Sequence, residues 1–360
     1  MPLGLNNIHQ LNLEITSYCN IRCPQCSRTH PMGNLADFVE LKHWDMNVVL
    51  PNLELEKMTS LRYVKIEGDN GDALMHPDIF TLLDAIMVAP SKPNVKILTN
   101  GGMRNPKWWR EFGARYKNRL VVQFSIDGLS DTNSLYRVDI DHVRVLKNVQ
   151  AFVQGGGEAI QRCLVFKHNQ HQIAEIVSQA RSLGIKSLIF IPNDRARFQE
   201  FSQWAVYDKN YQISHYIENT DYDNLESEHL IRQKLSRFNY NESTVPLYEN
   251  IVIRIEDEVC PVWRSGQLSI TYKGHVIPCC DYHADLYFDH PNNDSFREMV
   301  GPVDLNDVNL HKLSDILDPG RFYGQRLTQS LKENRALSRC KSRCPNVTGG
   351  KPIIPILAIN

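Results

Sequence analysis

Short apolar runs alternate with helical segments along the first two hundred residues of the chain. Ile173 to Leu183 has the apolar spacing of an amphipathic helix, and Gly184 marks its end. Phe80 to Ile86 predicts a second helix in the same way. The six apolar runs that predict strands are Leu11–Ile15, Val64–Ile66, Val95–Leu98, Leu120–Ile126, Arg162–Phe166 and Ser187–Ile191.

Strands that alternate with helices form parallel βα units, wound right-handed into a barrel or an open sheet. Reactive groups then belong at the carboxyl ends of the strands, where the loops emerge. Three loops with candidate chemistry follow predicted strands: the cysteine loop that starts at Cys19, the Asn70–Asp72 loop and the Thr99–Gly102 loop. We therefore expect these loops to share one site.

The remainder of the chain differs in character. Residues 196–250 are rich in polar and aromatic residues with weak apolar periodicity, which predicts a bridging region with one or two helices. Beyond Ile251, the runs Gln267–Thr271 and His275–Ile277 flank a Tyr-Lys-Gly turn and predict a β-hairpin in a small α+β domain. The predicted organisation is 1–195, 196–250 and 251–360.

Composition limits the compartment and the partners. The 360 residues carry 40 Lys and Arg against 41 Asp and Glu, so no net field favours nucleic acid. No run reaches the about 18 apolar residues of a membrane span, and the start of the chain does not look like a signal peptide. We therefore expect a cytoplasmic protein without a nucleic-acid or membrane partner. In such a reducing compartment, nine cysteines favour metal or redox chemistry over disulfides.

Three of the cysteines, Cys19, Cys23 and Cys26, lie on one short loop after the first predicted strand. Three thiolates can ligate three irons of a [4Fe–4S] cube and leave the fourth iron open to a small chelator. A structural zinc site needs four protein ligands, and His30 is the only nearby candidate for the fourth. The loop therefore favours a cluster with an open iron over zinc.

The run Cys19-Asn-Ile-Arg-Cys23-Pro-Gln-Cys26 resembles the signature of the radical S-adenosylmethionine superfamily. The resemblance implies a partial (β/α)6 TIM-like barrel over about residues 10–195, with the three cysteines as its catalytic centre. The open iron would be chelated by S-adenosylmethionine. One electron, supplied by a donor such as flavodoxin or ferredoxin, would cleave that cofactor to a 5′-deoxyadenosyl radical, which abstracts hydrogen from a substrate.

Further stretches match the family in order and imply contacts to S-adenosylmethionine. Asn70-Gly71-Asp72 resembles the family's Gly-Gly-Glu-Pro loop, with Asp72 where Glu is usual and Asn70 in place of the first Gly. A literal Gly-Gly-Glu at 156–158 precedes the fifth predicted strand and is interpreted as a turn. The other candidate contacts are Asn100, Ser125, Asp127, Arg137 and Asn169, with a turn, an ion pair and a turn or cap as the alternatives for Asn100, Arg137 and Asn169. Asp194 and Arg195 follow the sixth predicted strand and could contact cofactor or substrate, with a helix start as their alternative.

Five cysteines follow position 259, and four of them form a second candidate ligand set. Four thiolates can complete a [4Fe–4S] cluster or a zinc site. A Cys-x13-Gly-x4-Cys run across the predicted hairpin and a later Cys-x3-Cys pair resemble the SPASM and Twitch domains, with one auxiliary cluster as in Twitch. The implied ligands are Cys260, Cys279, Cys340 and Cys344, and Cys280 is left over.

The resemblance implies an oxidoreductase in which the substrate radical passes an electron to the auxiliary cluster. The net reaction would be dehydrogenation or cross-linking of a peptide side chain or a polar small molecule. Because the cysteine loop starts at residue 19, no peptide-recognition domain is expected before it. Two alternatives stay open: a redox-neutral epimerase with a cysteine hydrogen donor such as Cys163, which otherwise is a buried core residue, and a non-enzymatic zinc-binding interaction protein, which the Asp72 departure favours.

Overall fold

The computed structural model describes residues 4–193, 203–221, 266–277, 303–318, 320 and 357–358. The chain divides into two compact units. The first comprises Met1–Tyr18, Glu40–Lys96 and Ile251–Pro352, and the second comprises Cys19–Val39, Ile97–Asn250 and Ile353–Asn360. The boundaries expected near residues 195 and 250 fall outside the described ranges and stay a prediction.

Eleven strands and seven α-helices lie in the described residues. The strands are β1 (Gln10–Leu13), β2 (Tyr63–Ile66), β3 (Asn94–Thr99), β4 (Leu120–Ser125), β5 (Glu158–Val165), β6 (Ser187–Pro192), β7 (Gln203–Tyr207), β8 (Ile213–Glu218), β9 (Gln267–Ile270), β10 (Val276–Ile277) and β11 (Leu357–Ala358). The helices are α1 (Met46–Leu53), α2 (Ile79–Val88), α3 (Pro106–Tyr116), α4 (Asn133–Tyr136), α5 (His142–Gln154), α6 (Ile173–Ser182) and α7 (Leu313–Ile316).

The first unit orders its strands β10-β9-β1-β2-β3. Strand β1 pairs in parallel with both β2 and β9, while β9 and β10 form an antiparallel hairpin. Gly274 in the hairpin turn has φ 95°, a conformation that favours glycine. The predicted hairpin is therefore confirmed, and its first strand extends the sheet beside β1.

The second unit orders its strands β3-β4-β5-β6-β11, and the chain enters it in the middle of β3. Strands β4, β5 and β6 are parallel, whereas the short β11 pairs antiparallel with β6. Helices α3 and α5 cover one face, where Trp109, Phe112, Phe124 and Phe152 pack edge to face or tilted. Among the described residues, the strands of neither unit close into a complete barrel, and the mostly parallel α/β sheet confirms the predicted partial (β/α)6 TIM-like barrel.

All six predicted strands exist, and β5 differs most from its predicted bounds. It starts at Glu158, four residues before the predicted Arg162, directly after Gly156, which has φ 92°. The apolar criterion missed this start because Gln161 is polar yet completely buried, with its amide donating to the Ile126 carbonyl at 3.0 Å. The Gly-Gly-Glu run is a turn into this strand, as interpreted.

The hairpin of β7 and β8 occupies residues that were expected to belong to a bridging region with one or two helices. For residues 203–221 that helical expectation is wrong. Alternating apolar residues in Gln203–Tyr207 and Ile213–Glu218 bury Val206 and Ile217 on one face, which is the pattern of a half-buried strand. Among the described helices, none has the length and apolar character that crossing a lipid bilayer requires.

Candidate active site

The second unit gathers the three cysteines of the first loop into one apolar cluster. Cys23 is 7% exposed, Cys19 and Cys26 are half-buried, and none of the three forms a disulfide with another described cysteine. The Cys26 amide donates to the Cys23 carbonyl at 3.1 Å, a tight turn that brings these two residues side by side. The buried residues that pack with the thiols are Ile21, Tyr136, Leu164, Phe166, Val206 and Ile217.

Burial in this apolar cluster affects the ionisation of the Cys23 thiol. Burial raises the pKa of the Cys23 thiol to about 11, because desolvation disfavours the thiolate, and the positive charge of Arg137 opposes the rise. A thiolate that is costly in isolation is stabilised when it ligates a cation, and ligation releases the thiol proton. The loop is therefore suited to bound metal rather than to a free reactive thiolate.

Asp127 and Arg137 form a buried ion pair next to Cys23. Asp127 lies just beyond β4 and is completely buried. Its Oδ2 accepts a hydrogen bond from Arg137 Nε at 2.6 Å, and its Oδ1 accepts one from the Leu164 amide at 2.7 Å. Arg137 Nη1 donates to Cys23 Sγ at 3.5 Å. Burial acts against the charge of Arg137, but Asp127 and Cys23 together raise its pKa well above the usual value, so the guanidinium stays charged.

Asn100 makes a comparable contact with another thiol of the loop. Its Nδ2 lies 3.7 Å from Cys19 Sγ and also donates to Asn20 Oδ1 at 2.9 Å. Its Oδ1 accepts the Gly102 amide at 2.8 Å, which closes the turn after β3. The cysteine loop and the Thr99–Gly102 loop therefore meet, as the strand-end argument predicted.

Asn169 and Ser125 are the other two predicted contacts among the described residues of this unit. Ser125 is half-buried at the last position of β4. Asn169 is buried, its Nδ2 donates to the carbonyls of Asp127 and Leu164, and its Oδ1 accepts the Phe166 amide at 2.7 Å. These bonds give Asn169 the turn role that was its structural alternative, and its contact to a cofactor stays a prediction.

The first unit holds Asn70, Gly71 and Asp72 in a tightly packed turn after β2. The Asn70 amide donates to Glu14 Oε1 at 2.7 Å, and Asp72 Oδ1 accepts the Leu74 amide at 3.0 Å. A Cβ at Gly71 would collide with the Thr16 carbonyl oxygen, so only glycine fits there. Close packing of the turn explains why position 71 is a glycine. The role of the turn in cofactor binding stays a prediction.

The donor set of the cysteine loop fits an iron–sulfur cluster. Within the described part of the chain, no three His, Cys, Asp or Glu side chains converge on a point where a single metal ion would bind. A zinc ion draws its ligands to one point with Zn–S distances of about 2.3 Å, whereas a [4Fe–4S] cube gives each cysteine its own iron. Three adjacent thiols can therefore serve three irons of such a cube, and the choice between a cluster and zinc stays a prediction.

Other predicted residues lie either in the core or outside the described ranges. Cys163 in β5 is fully buried, and burial raises the pKa of its thiol well above the usual value, which confirms the core interpretation. The candidates outside the described residues are Asp194, Arg195, Cys260, Cys279, Cys280, Cys340 and Cys344.

Some residues around the thiols were not singled out from the sequence. Tyr136 packs its ring on Phe166, with centroids 4.6 Å apart, and lies 5.2 Å from the Arg137 guanidinium. Trp204, Val206 and Ile217 come from the β7–β8 hairpin and pack against the same cluster. Strand alternation in the hairpin was a usable signal, but nothing local in the sequence connects it with the cysteine loop.

The chain resembles known proteins in its fold but not detectably in its sequence. No protein-family model matches the chain, and no curated protein matches it either. Solved structures do match. Streptococcus suis SuiB bound to precursor peptide SuiA is 16% identical, with a TM-score of 0.58 over 89% of this chain and 67% of that chain. The same protein bound to S-adenosylmethionine is 17% identical, with a TM-score of 0.53 over 85% and 73%.

A second solved protein gives the same result. Tagged anSMEcpe with bound S-adenosylmethionine is 15% identical, with a TM-score of 0.57 over 94% of this chain and 84% of that chain. At such identities the likeness shows the fold. The chain therefore has the fold of SuiB and anSMEcpe, two proteins that were solved with bound S-adenosylmethionine.

Proposed function

We propose that the chain is a radical S-adenosylmethionine enzyme whose Cys19, Cys23 and Cys26 hold a [4Fe–4S] cluster with one open iron. The observation that carries the proposal is the packing of three cysteine thiols in one apolar cluster, on a loop of the matching fold. Cysteine thiolates are the ligands that such clusters use. When bound, the cluster supplies the electron that cleaves S-adenosylmethionine to a 5′-deoxyadenosyl radical.

The protein's own residues supply position and shielding. Phe166, Val206 and Ile217 are almost completely buried against the thiols and exclude water from that side. A radical formed there is then protected from side reactions. Arg137 keeps its charge beside Cys23, and two of its five N–H groups are used in contacts with Asp127 and Cys23 among the described residues.

The cofactor contacts belong to the same proposal. Asn70, Gly71 and Asp72 would bind the amino group of S-adenosylmethionine, with the short Asp72 carboxylate as the acceptor. The residues proposed for its carboxylate and ribose are Asn100, Ser125, Asp127, Arg137 and Asn169. For Asp127 and Asn169, whose side chains already make internal hydrogen bonds, a backbone contact or a positioning role fits best.

The proposed substrate is a peptide, and the proposed outcome is oxidation. SuiB is described with a precursor peptide and anSMEcpe with the Cp18Cys peptide, which supports a peptide substrate for a chain of the same fold. An auxiliary [4Fe–4S] cluster on Cys260, Cys279, Cys340 and Cys344 would accept the electron of the substrate radical. Once a proton has also left to solvent, the product has lost two hydrogen atoms: one to the 5′-deoxyadenosyl radical and one as this proton and the transferred electron.

The experiment is anaerobic reconstitution with iron and sulfide, reduction with dithionite, and measurement of 5′-deoxyadenosine formed from S-adenosylmethionine. The triple variant Cys19→Ala/Cys23→Ala/Cys26→Ala should lose this product and about four irons per chain. The matched control is Cys163→Ala, which removes a thiol that is also buried but lies outside the loop. The control should keep both the product and the iron.

Two results would count against the proposal. One is an absence of 5′-deoxyadenosine from wild-type protein that carries its full iron. The other is an undiminished yield from the triple variant. With a peptide extract as substrate, mass spectrometry then separates the outcomes. Loss of two hydrogens supports oxidation, whereas a product of unchanged mass in ordinary water that gains a deuterium at carbon in deuterated water supports epimerisation.

A further inference from the structure

Two of the three loop thiols receive N–H groups aimed at sulfur. Arg137 Nη1 lies 3.5 Å from Cys23 Sγ, and Asn100 Nδ2 lies 3.7 Å from Cys19 Sγ. Both distances are within the range of hydrogen bonds to sulfur, which is larger than oxygen. Asn100 directly follows β3, and Arg137 lies in the segment after β4. Each of the two thiols therefore has its own donor, from a different part of the unit.

Both donors are held in place by a second bond. Arg137 is fixed through its Nε to the buried carboxylate of Asp127 at 2.6 Å. The Asn100 side chain is fixed because its Oδ1 accepts the Gly102 amide at 2.8 Å. Neither donor therefore has to reorganise when the charge on the sulfur changes, which is the condition for a strong electrostatic effect at low dielectric.

A reduced cluster carries one more negative charge than an oxidised one, and its cysteine sulfurs share that charge. Hydrogen bonds to those sulfurs stabilise the reduced state and make the reduction potential less negative. Arg137 is paired with Asp127, so the pair has little net charge and acts mainly at short range, on Cys23. The sulfur-directed donors are thus placed to tune electron transfer, independently of any contact to S-adenosylmethionine.

We propose that Arg137 and Asn100 are positioning residues that set the reduction potential of the first cluster through hydrogen bonds to Cys23 and Cys19. The inference rests on the proposed function, because it requires that the loop holds a cluster. It differs from the predicted role of the same two residues in cofactor binding, since the effect is present before S-adenosylmethionine is added.

The test is a redox titration of the reconstituted full-length protein without S-adenosylmethionine, followed by electron paramagnetic resonance. The Cys19→Ala/Cys23→Ala/Cys26→Ala variant provides the signal of any other cluster for subtraction. Arg137→Gln should lower the ratio of reduced to oxidised cluster at least tenfold at a fixed potential, a shift of about 59 mV for one electron. Asn100→Ser, which keeps an oxygen for the Gly102 amide, should shift the potential in the same direction by less.

The chain offers a matched control in the same loop. Arg22 donates through its Nε to Asp139 Oδ2, also at 2.6 Å, but its Nη1 contacts the Gly33 carbonyl instead of a sulfur. Arg22→Gln removes the same charge and should leave the potential nearly unchanged. Arg137→Lys keeps the charge but lacks the planar fork that reaches both partners, so it should restore only part of the shift.

The failure of the inference and the failure of the proposed function give different results. If wild-type protein binds no iron at the loop, the proposed function fails. If Arg137→Gln and Asn100→Ser keep wild-type iron and sulfide and also the wild-type midpoint, the inference fails while the function stands. A shift in Arg22→Gln as large as that in Arg137→Gln would also overturn it, because general charge would then explain the effect. If Arg137→Gln fails to bind iron, the Asn100→Ser variant alone tests the inference. A more negative midpoint potential in that variant supports the inference, and a wild-type or less negative midpoint overturns it.

Discussion

Removing the carboxylate of Asp127 should destabilise the protein strongly. In Asp127→Ala, the buried guanidinium of Arg137 loses its partner, and breaking a buried ion pair from one side costs about 3–5 kcal/mol. The Leu164 amide also loses its acceptor, which alone costs about 1–3 kcal/mol. The two effects concern neighbouring groups and do not add fully, so we expect a total loss of ~4 kcal/mol.

A second substitution separates the cost of burying the unpaired Arg137 charge from the cost of the packing lost with the Asp127 side chain. Met at position 137 removes the uncompensated charge, so Asp127→Ala/Arg137→Met should regain about 2 kcal/mol over Asp127→Ala alone. The assay is urea unfolding under anaerobic conditions, followed by circular dichroism. The control is Asp139→Ala, whose partner Arg22 lies at the same 2.6 Å but with both side chains about one-third exposed, and it should cost about 1 kcal/mol or less. Equal losses in Asp127→Ala and Asp139→Ala would refute the reasoning.

Three further predictions concern the turn after β2, a buried histidine and the cover of the thiols. Gly71→Ala should lower the thermal midpoint of unfolding by several degrees, because its Cβ meets the Thr16 carbonyl and backbone must move; an unchanged midpoint would contradict this. Burial lowers the pKa of His168 from 6.5 to about 4, so the unfolded chain takes up the proton first and stability falls as pH falls through that window. His168→Phe keeps the stacking on Phe166, at 5.0 Å, and should remove about 2–3 kcal/mol of the acid-induced loss, measured by urea midpoints near pH 7 and pH 4.5; an equally steep loss in the variant would contradict it. Ile217→Ser in β8 should speed the bleaching of the cluster's visible absorption in air, because the side chain is 2% exposed against the thiols; bleaching at the wild-type rate would show that the hairpin does not shield them.

The parts of the fold that were predictable from the sequence depend on local signals. Apolar runs and the cysteine spacing depend only on residues that are close together in the sequence. The order of the strands along the chain and the position of the cysteine loop after β1 could therefore be inferred. The bounds of β5 could not, because the burial of Gln161 depends on a hydrogen bond to Ile126, 35 positions away. Burial of a polar residue in a strand is a property of its partner strand.

The same reasoning applies to the candidate site. The loop thiols could be predicted as candidate ligands from their spacing, whereas the pairing of Asp127 with Arg137 and the contact of Arg137 with Cys23 required the tertiary structure. Asp127 and Arg137 were predicted to contact the cofactor because the resemblance to the radical S-adenosylmethionine superfamily implies polar contacts at these positions, with an ion pair as the alternative for Arg137. In the structure, Asp127 and Arg137 form an ion pair with each other. The side-chain amide of Asn169 likewise donates hydrogen bonds to backbone carbonyls. The sequence alone does not tell whether such a polar side chain bonds to another group of the protein or to a cofactor.

The most direct test of the account is whether S-adenosylmethionine binds an iron of the first cluster. Electron–nuclear double resonance on the reduced protein, with ¹⁷O in the carboxylate of S-adenosylmethionine, reports that bond. We expect a hyperfine coupling in wild-type and Cys163→Ala protein that is absent from the variant lacking Cys19, Cys23 and Cys26. A wild-type cluster that is fully loaded and reduced but shows no coupling to the labelled carboxylate would contradict the central claim.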